Sequence, residues 1–437
     1  MNGFKNKNIT VFGLGKSGIA AAKKLALLGA KVTVTEVKPV SGIDPSALKE
    51  IQELKVDLEI GGHSSKSIRS ADLIIVSPGV HLDIPVLEEA KAKGIPVISE
   101  IELAYQILTK PIIAVTGTNG KTTTTALVGE MIKAAGKKVA VAGNIGYPLT
   151  SVDDHQLDFI VAEVSSYQLE TIQNFRPWVS LILNIQEDHL ERHHSISEYI
   201  AQKARIFKNQ TGDDYVIYNQ DDPFVVEMVK GVKAKLIGFS KNHPETITLA
   251  PSEIKIPGEH NLENALAAAQ VAYVCGIDKK TVEDVLRTFP GVEHRIEFVA
   301  RIDGIEFYND SKATNPDSTR VALETFRGRG MVLILGGRDK GVSLDSLGRK
   351  VKGLVKNVVL MGEAAARFEK AFREIGFDAI YHAQSLADAV KKSFSLAKED
   401  EIVLLSPACA SFDRFANFEE RGRVFKQEVQ KLCEKQR

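Results

Sequence analysis

The residues with most chemistry in them sit in AVTGTNGKTTTT, residues 114–125. A nucleoside triphosphate needs backbone N–H groups converging on phosphate oxygens, a lysine over its β/γ end and a hydroxyl for magnesium. Gly117, Gly120, Lys121 and Thr122 can supply all of these, because the loop follows the apolar run IIAVTG and opens a helix. Gly117 stands three positions before Gly120, whereas the usual phosphate loop has its first glycine five positions before the Gly-Lys pair. The choice at this level is between a shortened triphosphate loop and a Gly-Asn-rich turn with a solvated lysine.

Farther along, FIVAEVSSYQLE sets Glu163 inside an apolar strand. A buried, unpaired carboxylate costs several kcal/mol, so Glu163 is either a metal ligand or a paired edge residue. NIQEDHLERHH puts Asp188 and His189 just past the run WVSLILNI, at the sheet end where α/β folds collect ligands. His189 is there either to face a ligand or as a structural residue. Lys203, in SEYIAQKARIFKN, shares a basic helix with Arg205 and Lys208, and nothing local singles it out. In HNLENALAAA, Asn261 and Asn264 lie three apart, on one helical face. A cap explains one amide, while two could read a base edge.

A second glycine loop, Gly13-Leu14-Gly15-Lys16-Ser17-Gly18, lies between a strand and a helix, with Glu36 closing the next strand. Its glycines let backbone approach a diphosphate, and the helix N-terminus adds N–H donors and positive potential. A dinucleotide, another diphosphate such as a UDP-sugar, and a tight structural turn all satisfy that pattern.

Elements that could position these loops are legible throughout. Short β-branched runs alternate with helical stretches, which predicts parallel sheets with crossover helices. The fold class is therefore α/β in three blocks. Residues 1–99 run from NITVFG to IPVIS. Residues 100–291 run from EIELAYQILTK, through IIAVTG, KKVAVAGN, DFIVAEVS, WVSLILNI and DDYVIYN, to TVEDVLRTF. Residues 292–437 open with a hairpin signal at Asp303-Gly304 and continue through MVLILGG, NVVLMG, DAIYHA and EIVLLSPA. With 56 basic and 56 acidic residues, no global field points to nucleic acid or an anionic membrane. Three scattered cysteines fit a reducing cytoplasm, and MNGFKNKNIT lacks a signal-peptide core.

GTNGKTT, AEVSSYQLE, NIQEDHLERH, HNLENALAAA, EHRIE, NDSKATNPDS and SPACASFDRFANFEERG occur in this order across nearly the whole chain. Together they resemble the Mur ligases, ATP-dependent peptide-bond formers of bacterial cell-wall precursor synthesis, whose phosphate loop has the short form seen here. The resemblance implies a Rossmann-like N-terminal domain, a central P-loop ATPase domain and a Rossmann-like C-terminal domain, in a cytoplasmic monomer. It further implies that D-glutamate is joined to UDP-N-acetylmuramoyl-L-alanine, with ATP and two magnesium ions. Gly117, Thr118, Asn119, Gly120, Lys121, Thr122 and Thr123 would hold the phosphates, Asn261 and Asn264 the adenine, Asp310 the ribose, and Arg295 the phosphates. Thr122, Glu163, His189 and Lys203 would hold the metals, Lys203 as a carbamate, since a plain ammonium repels magnesium. Lys121, His189, Lys203 and Arg295 would carry catalysis. Gly15, Lys16, Ser17, Thr35, Glu36, Ser77, Pro78, Gly79, Asn144 and His189 would face the UDP-substrate; Lys312, Thr314, Lys340, Ser411 and Phe418 would face D-glutamate. The competing readings are a sister ligase adding another amino acid, a folylpolyglutamate synthetase-like relative, and a nucleotide sensor, the last of which would have no use for Glu163, His189 and Lys203 together.

Overall fold

A computed structural model describes residues 3–54, 56–187, 190–339, 341 and 343–434. Asp188, His189 and Lys340 lie outside the described residues. The chain divides into two compact units, Met1–Ala250 with Asn261–Arg287, and Pro251–His260 with Thr288–Arg437. The first carries two sheets and the second carries one. Pro251–His260 thus belongs to the second unit, although the sequence reading allots it to the middle block.

In the first sheet β1 (Asn8–Phe12), β2 (Lys31–Glu36), β3 (Asp57–Ile60), β4 (Leu73–Val76) and β5 (Val97–Ser99) run parallel in the order β3-β2-β1-β4-β5. Phe12 pairs with both Thr35 and Val76, so Gly13 and Ser77 leave the sheet beside Glu36, the last residue of β2, at the C-terminal end of the strands. The middle sheet holds β6 (Ile112–Thr116), β7 (Val139–Gly143), β8 (Phe159–Glu163), β9 (Val179–Ile182), β10 (Tyr215–Asn219) and β11 (Lys235–Phe239), in the order β11-β10-β9-β6-β8-β7 and also parallel. All five residues of β6 are buried, as expected of a strand with helices on both faces. Register Val115↔Glu163↔Gly143 sets Glu163 level with the start of the phosphate loop.

The segment joining these sheets is fastened to the middle one. Its helix, Glu100–Ile107, buries two carboxylates. Glu102 accepts backbone N–H bonds from Gln173, Asn174 and Phe175 at 2.8–3.0 Å, and Glu100 accepts the amide and hydroxyl of Thr150 at 2.6 Å.

The third sheet has β12 (Glu297–Ile302), β13 (Ile305–Asn309), β14 (Met331–Gly336), β15 (Asn357–Met361), β16 (Ile380–His382) and β17 (Ile402–Leu405), in the order β12-β13-β17-β14-β15-β16. Among the described residues only the β12/β13 pair of this sheet is antiparallel, and its turn has Asp303 and Gly304 both at positive φ, as a type I′ hairpin turn requires. Apolar residues bury on both faces of this sheet, for example Leu333 and Leu404 on one and Ile334 and Leu405 on the other. At about 1.5–3 kcal/mol per buried aliphatic side chain, these clusters hold the layers together. Two edge strands, β3 and β11, escape the sequence reading: DLEI and KLIGF are short, charged and half exposed, since an edge strand packs against one neighbour only. Among the described residues no helix is long and apolar enough to cross a membrane.

Candidate active site

β6 delivers Gly117 and Gly120 into a loop that caps the helix Lys121–Ala134. Both glycines have positive φ, +149° and +83°. A Cβ on Gly120 would collide with Asn264 Oδ1, so this glycine is required by packing as well as by conformation. Neighbouring strands brace the loop. Thr118 donates its amide to the Asn184 carbonyl at 2.9 Å, and Asn119 donates its amide to Asn184 Oδ1 at 2.8 Å. The Thr118 hydroxyl meets Tyr199 Oη at 3.1 Å. Lys121 Nζ donates to the carbonyls of Gly117 and Thr118 at 2.9 and 2.8 Å, folded over the loop that it would serve. Thr122 and Thr123 are buried in the first helical turn.

Glu163 ends β8 beside this loop and is 2% exposed. Its Oε1 accepts from Asn144 Nδ2 at 2.7 Å, while its buried Oε2 has no hydrogen-bond partner among the described residues. Lys203 is likewise buried. It donates to the Gly117 carbonyl at 2.8 Å and lies 4.6 Å from the Tyr199 ring centre. So Lys121, Lys203, Glu163 and Asn144 converge on one end of the middle sheet. Asn264 joins them, accepting from the Thr124 hydroxyl and donating to Asn261 Oδ1, both at 3.1 Å. These amides brace the helix behind the phosphate loop.

In the first sheet Gly15 caps the helix Lys16–Leu27, putting Lys16 and Ser17 in its first turn. A Cβ on Gly18 would collide with the Gly13 carbonyl. Glu36 spends both oxygens on backbone, accepting from Leu14 N at 2.7 Å and Lys38 N at 3.0 Å. Its carboxylate therefore shapes the glycine loop. Thr35 bonds His63 Nδ1 at 2.9 Å, and the turn holding Ser77, Pro78 and Gly79 closes on Val80.

In the second unit Asp310 follows β13 and is buried. It accepts from Ser406 Oγ at 2.7 Å and from the Ile296 amide at 3.3 Å. Burial raises its carboxyl to about 7, opposed by the Ser406 hydrogen bond and the positive charge of Arg295. Arg295 stands in a strained passage, between His294 and Ile296 at φ +66° and +46°. Lys312 and Thr314 follow Asp310, and the Phe418 ring meets His294 edge-on at 6.2 Å.

Three family descriptions match the chain in order: Mur ligase MurD-like N-terminal domain over residues 7–99, Mur ligase middle domain over 115–272, and Mur ligase glutamate ligase domain over 294–409. The chain belongs to the Mur ligase family. A relative from Caldanaerobacter subterraneus subsp. tengcongensis, named UDP-N-acetylmuramoylalanine–D-glutamate ligase, is 44% identical over 98% of this chain and 99% of its own. One of the same name from Clostridioides difficile is 43% identical over the same shares. Among solved structures, UDP-N-acetylmuramate-alanine ligase MurC from Thermotoga maritima matches with a TM-score of 0.59, covering 97% of this chain and 99% of that one at 21% identity. MurF ligase from T. maritima in complex with ADP matches with a TM-score of 0.58, covering 99% of this chain and 100% of that one at 17% identity. These two share the three-domain fold.

For this Mur ligase the magnesium expectation can be tested on the side chains. Among the described residues no group of three or more His, Cys, Asp or Glu gathers to hold a metal. The donor set implied here needs none, because it is one carboxylate, a threonine hydroxyl and a modified lysine with His189. The orphaned, buried Oε2 of Glu163 beside the phosphate loop fits a cation, since an unsatisfied carboxylate oxygen is costly otherwise. Carbamylated Lys203 would keep one N–H for the Gly117 carbonyl and gain anionic oxygens.

Sequence reasoning passed over Arg421. It is 1% exposed, donating from Nε to Ser311 Oγ at 2.9 Å, from Nη2 to the Ser311 carbonyl at 2.8 Å, and to the Cys409 carbonyl at 3.1 Å. Ser311 Oγ in turn donates to the Phe418 carbonyl at 2.8 Å. One guanidinium thus ties together the stretches bearing Lys312, Ser411 and Phe418. The signal was present: Arg421 shares the four-residue spacing of Phe425 and Val429, the buried stripe of their helix.

Proposed function

We propose that this Mur ligase joins D-glutamate to UDP-N-acetylmuramoyl-L-alanine at the expense of ATP, through an acyl phosphate. The observation that carries the chemistry is the convergence of Lys121, Lys203 and the half-orphaned Glu163 on one phosphate loop. The name borne by relatives that align end to end supports D-glutamate as the amino acid. Labour divides among residues 1–99, 100–291 and 292–437, taking the UDP-substrate, ATP and the amino acid respectively.

The terminal carboxylate of the UDP-substrate attacks the γ-phosphorus, and ADP leaves. The neutral amine of D-glutamate then attacks the acyl phosphate carbonyl, loses a proton, and expels phosphate. Bringing one anion to another is electrostatically uphill. Lys121 swings from its loop carbonyls to the β/γ-phosphates, and the backbone amides of the loop spread the transition-state charge. Arg295 adds a second cation for the phosphates, and Asp310 takes the ribose. Thr122, Glu163, His189 and carbamylated Lys203 would hold magnesium, which when bound neutralises phosphate charge. Asn144, held against Glu163, orients the acid end of the substrate. Lys312, Thr314, Lys340, Ser411 and Phe418 receive D-glutamate, whose two carboxylates match the two lysines.

The test is phosphate release from ATP with each substrate withheld in turn. Release is expected only when ATP, UDP-N-acetylmuramoyl-L-alanine and D-glutamate are all present. Equal release with L-glutamate, L-lysine or meso-diaminopimelate would refute the amino-acid assignment.

A further inference from the structure

Arg192 follows the catalytic segment that contains His189 and is followed by the buried His193. Its guanidinium grips Glu170 in a fork, Nε to Oε1 at 3.0 Å and Nη2 to Oε2 at 2.6 Å, with both side chains about nine-tenths buried. The same Nη2 also donates to the Val80 carbonyl at 3.0 Å, 112 residues away on the first sheet's side. The guanidinium lies 5.3 Å from the Tyr167 ring centre. Glu170 has a firm mount, because Arg205 donates to the carbonyls of Leu169 and Ile172 on either side of it, at 2.7 and 2.8 Å.

Val80 is the last residue of the turn that carries Ser77, Pro78 and Gly79. Its amide donates to the Ser77 carbonyl at 3.0 Å, and Ser77 donates its amide to Phe12 at 3.0 Å. The turn presses on the glycine loop: a Cβ on Gly13 would meet Ser77 Cβ at 3.0 Å and Val80 Cγ2 at 3.3 Å. A continuous chain of contacts therefore runs from Glu170 through Arg192 and the turn to the glycine loop. It borders a cleft of about 220 Å³ lined by His81, Glu170, Arg192, His193 and Glu198 among others.

We infer that Arg192 is a positioning residue for the UDP-substrate, setting the register between the glycine loop of the first sheet and the phosphate loop of the middle one. This rests on the ligase reading above. A substrate anchored by its diphosphate at one loop must bring its far carboxylate to phosphorus at the other. The separation of the loops therefore decides whether that carboxylate arrives in line. A planar fork suits the task because it binds a carboxylate with two N–H groups and still has donors for a carbonyl.

Arg192→Lys keeps the charge but loses the fork, since one ammonium cannot hold Glu170 bidentately and reach Val80. Its kcat/KM for UDP-N-acetylmuramoyl-L-alanine should fall about 10- to 100-fold, while KM for ATP and for D-glutamate stays within about twofold. The double variant Arg192→Met with Glu170→Gln removes both charges of the fork together, and should show the same selective loss with its melting temperature kept. A lysine variant that keeps its kcat/KM for the UDP-substrate, or that loses efficiency toward all three substrates alike, overturns the inference. Calorimetric titration with UDP-N-acetylmuramoyl-L-alanine needs no turnover. Weaker binding by both variants than by the wild type upholds the clamp even if D-glutamate proves the wrong amino acid, and equal affinity defeats it.

Discussion

Glu163 holds one carboxylate oxygen in a hydrogen bond and the other in a buried site without one among the described residues. Glu163→Gln keeps the shape and the acceptor for Asn144 while removing the charge that a magnesium ion would use. Activity should fall by about two orders of magnitude or more, with a higher magnesium requirement, because phosphoryl transfer depends on neutralising charge at this point. The melting temperature without ligands should stay within about 2 °C, as the fold gains little from a half-satisfied carboxylate. A variant that needs no more magnesium than the wild type contradicts the assignment. Asp310 supplies a pH test. The folded chain keeps a proton there up to about pH 7, whereas the unfolded chain gives it up near pH 4. Stability from this group is fully present below about pH 4 and is lost as pH rises through about 7. In urea titrations the wild type should therefore lose ground to Asp310→Asn across that window, and a constant difference would show that the carboxyl titrates normally. Which residues announced themselves in sequence follows from range. Lys121 stands in a local pattern, but Arg192 finds its partners 22 and 112 residues away, and Arg421 finds Ser311 110 residues away.

At the scale of elements, the strand–loop–helix units were legible because each holds its own signals: β-branched runs, glycines at turns and an apolar helical stripe. The β12/β13 turn was written in Asp303-Gly304. The edge strands β3 and β11 were not, since their pairing is supplied by neighbours rather than by their own residues. The C-terminal helix Phe418–Glu434 shows what an element gains from one buried charge. Burial lowers the Arg421 guanidinium to about 10, which leaves it charged at neutral pH. Arg421→Met would strand the Ser311 and Cys409 carbonyls, and each buried acceptor without a donor costs about 1–3 kcal/mol. The expected loss is about 2–4 kcal/mol of stability in chemical denaturation, with KM for D-glutamate raised more than KM for ATP, because Lys312, Ser411 and Phe418 lose their common tie. If stability falls while the amino-acid KM is untouched, the helix serves the fold alone.

At the scale of the whole molecule, the glycine loop and the phosphate loop both lie in the first unit, each at the end of its own sheet. Ligands that bind only the folded state stabilise it by mass action, about 2.7 kcal/mol at a hundredfold excess over Kd. For units of this size that is a rise of roughly 5–10 °C in melting temperature. ATP with magnesium and the UDP-substrate should each give such a rise by themselves, since each loop is braced by its own neighbours. Lys121 separates the two effects. Its ammonium rests on the carbonyls of Gly117 and Thr118, and the Gly117 carbonyl keeps its bond from Lys203 when that ammonium is removed, so Lys121→Ala should leave the unliganded melting temperature nearly unchanged. The shift with ATP should then shrink to a small fraction of the wild-type value, the shift with the UDP-substrate should persist, and ligation should cease. A full ATP shift in that variant would mean that no phosphate meets the lysine. The shortened loop would then be a turn after all, and the convergence of Lys203 and Glu163 upon it would need another cause.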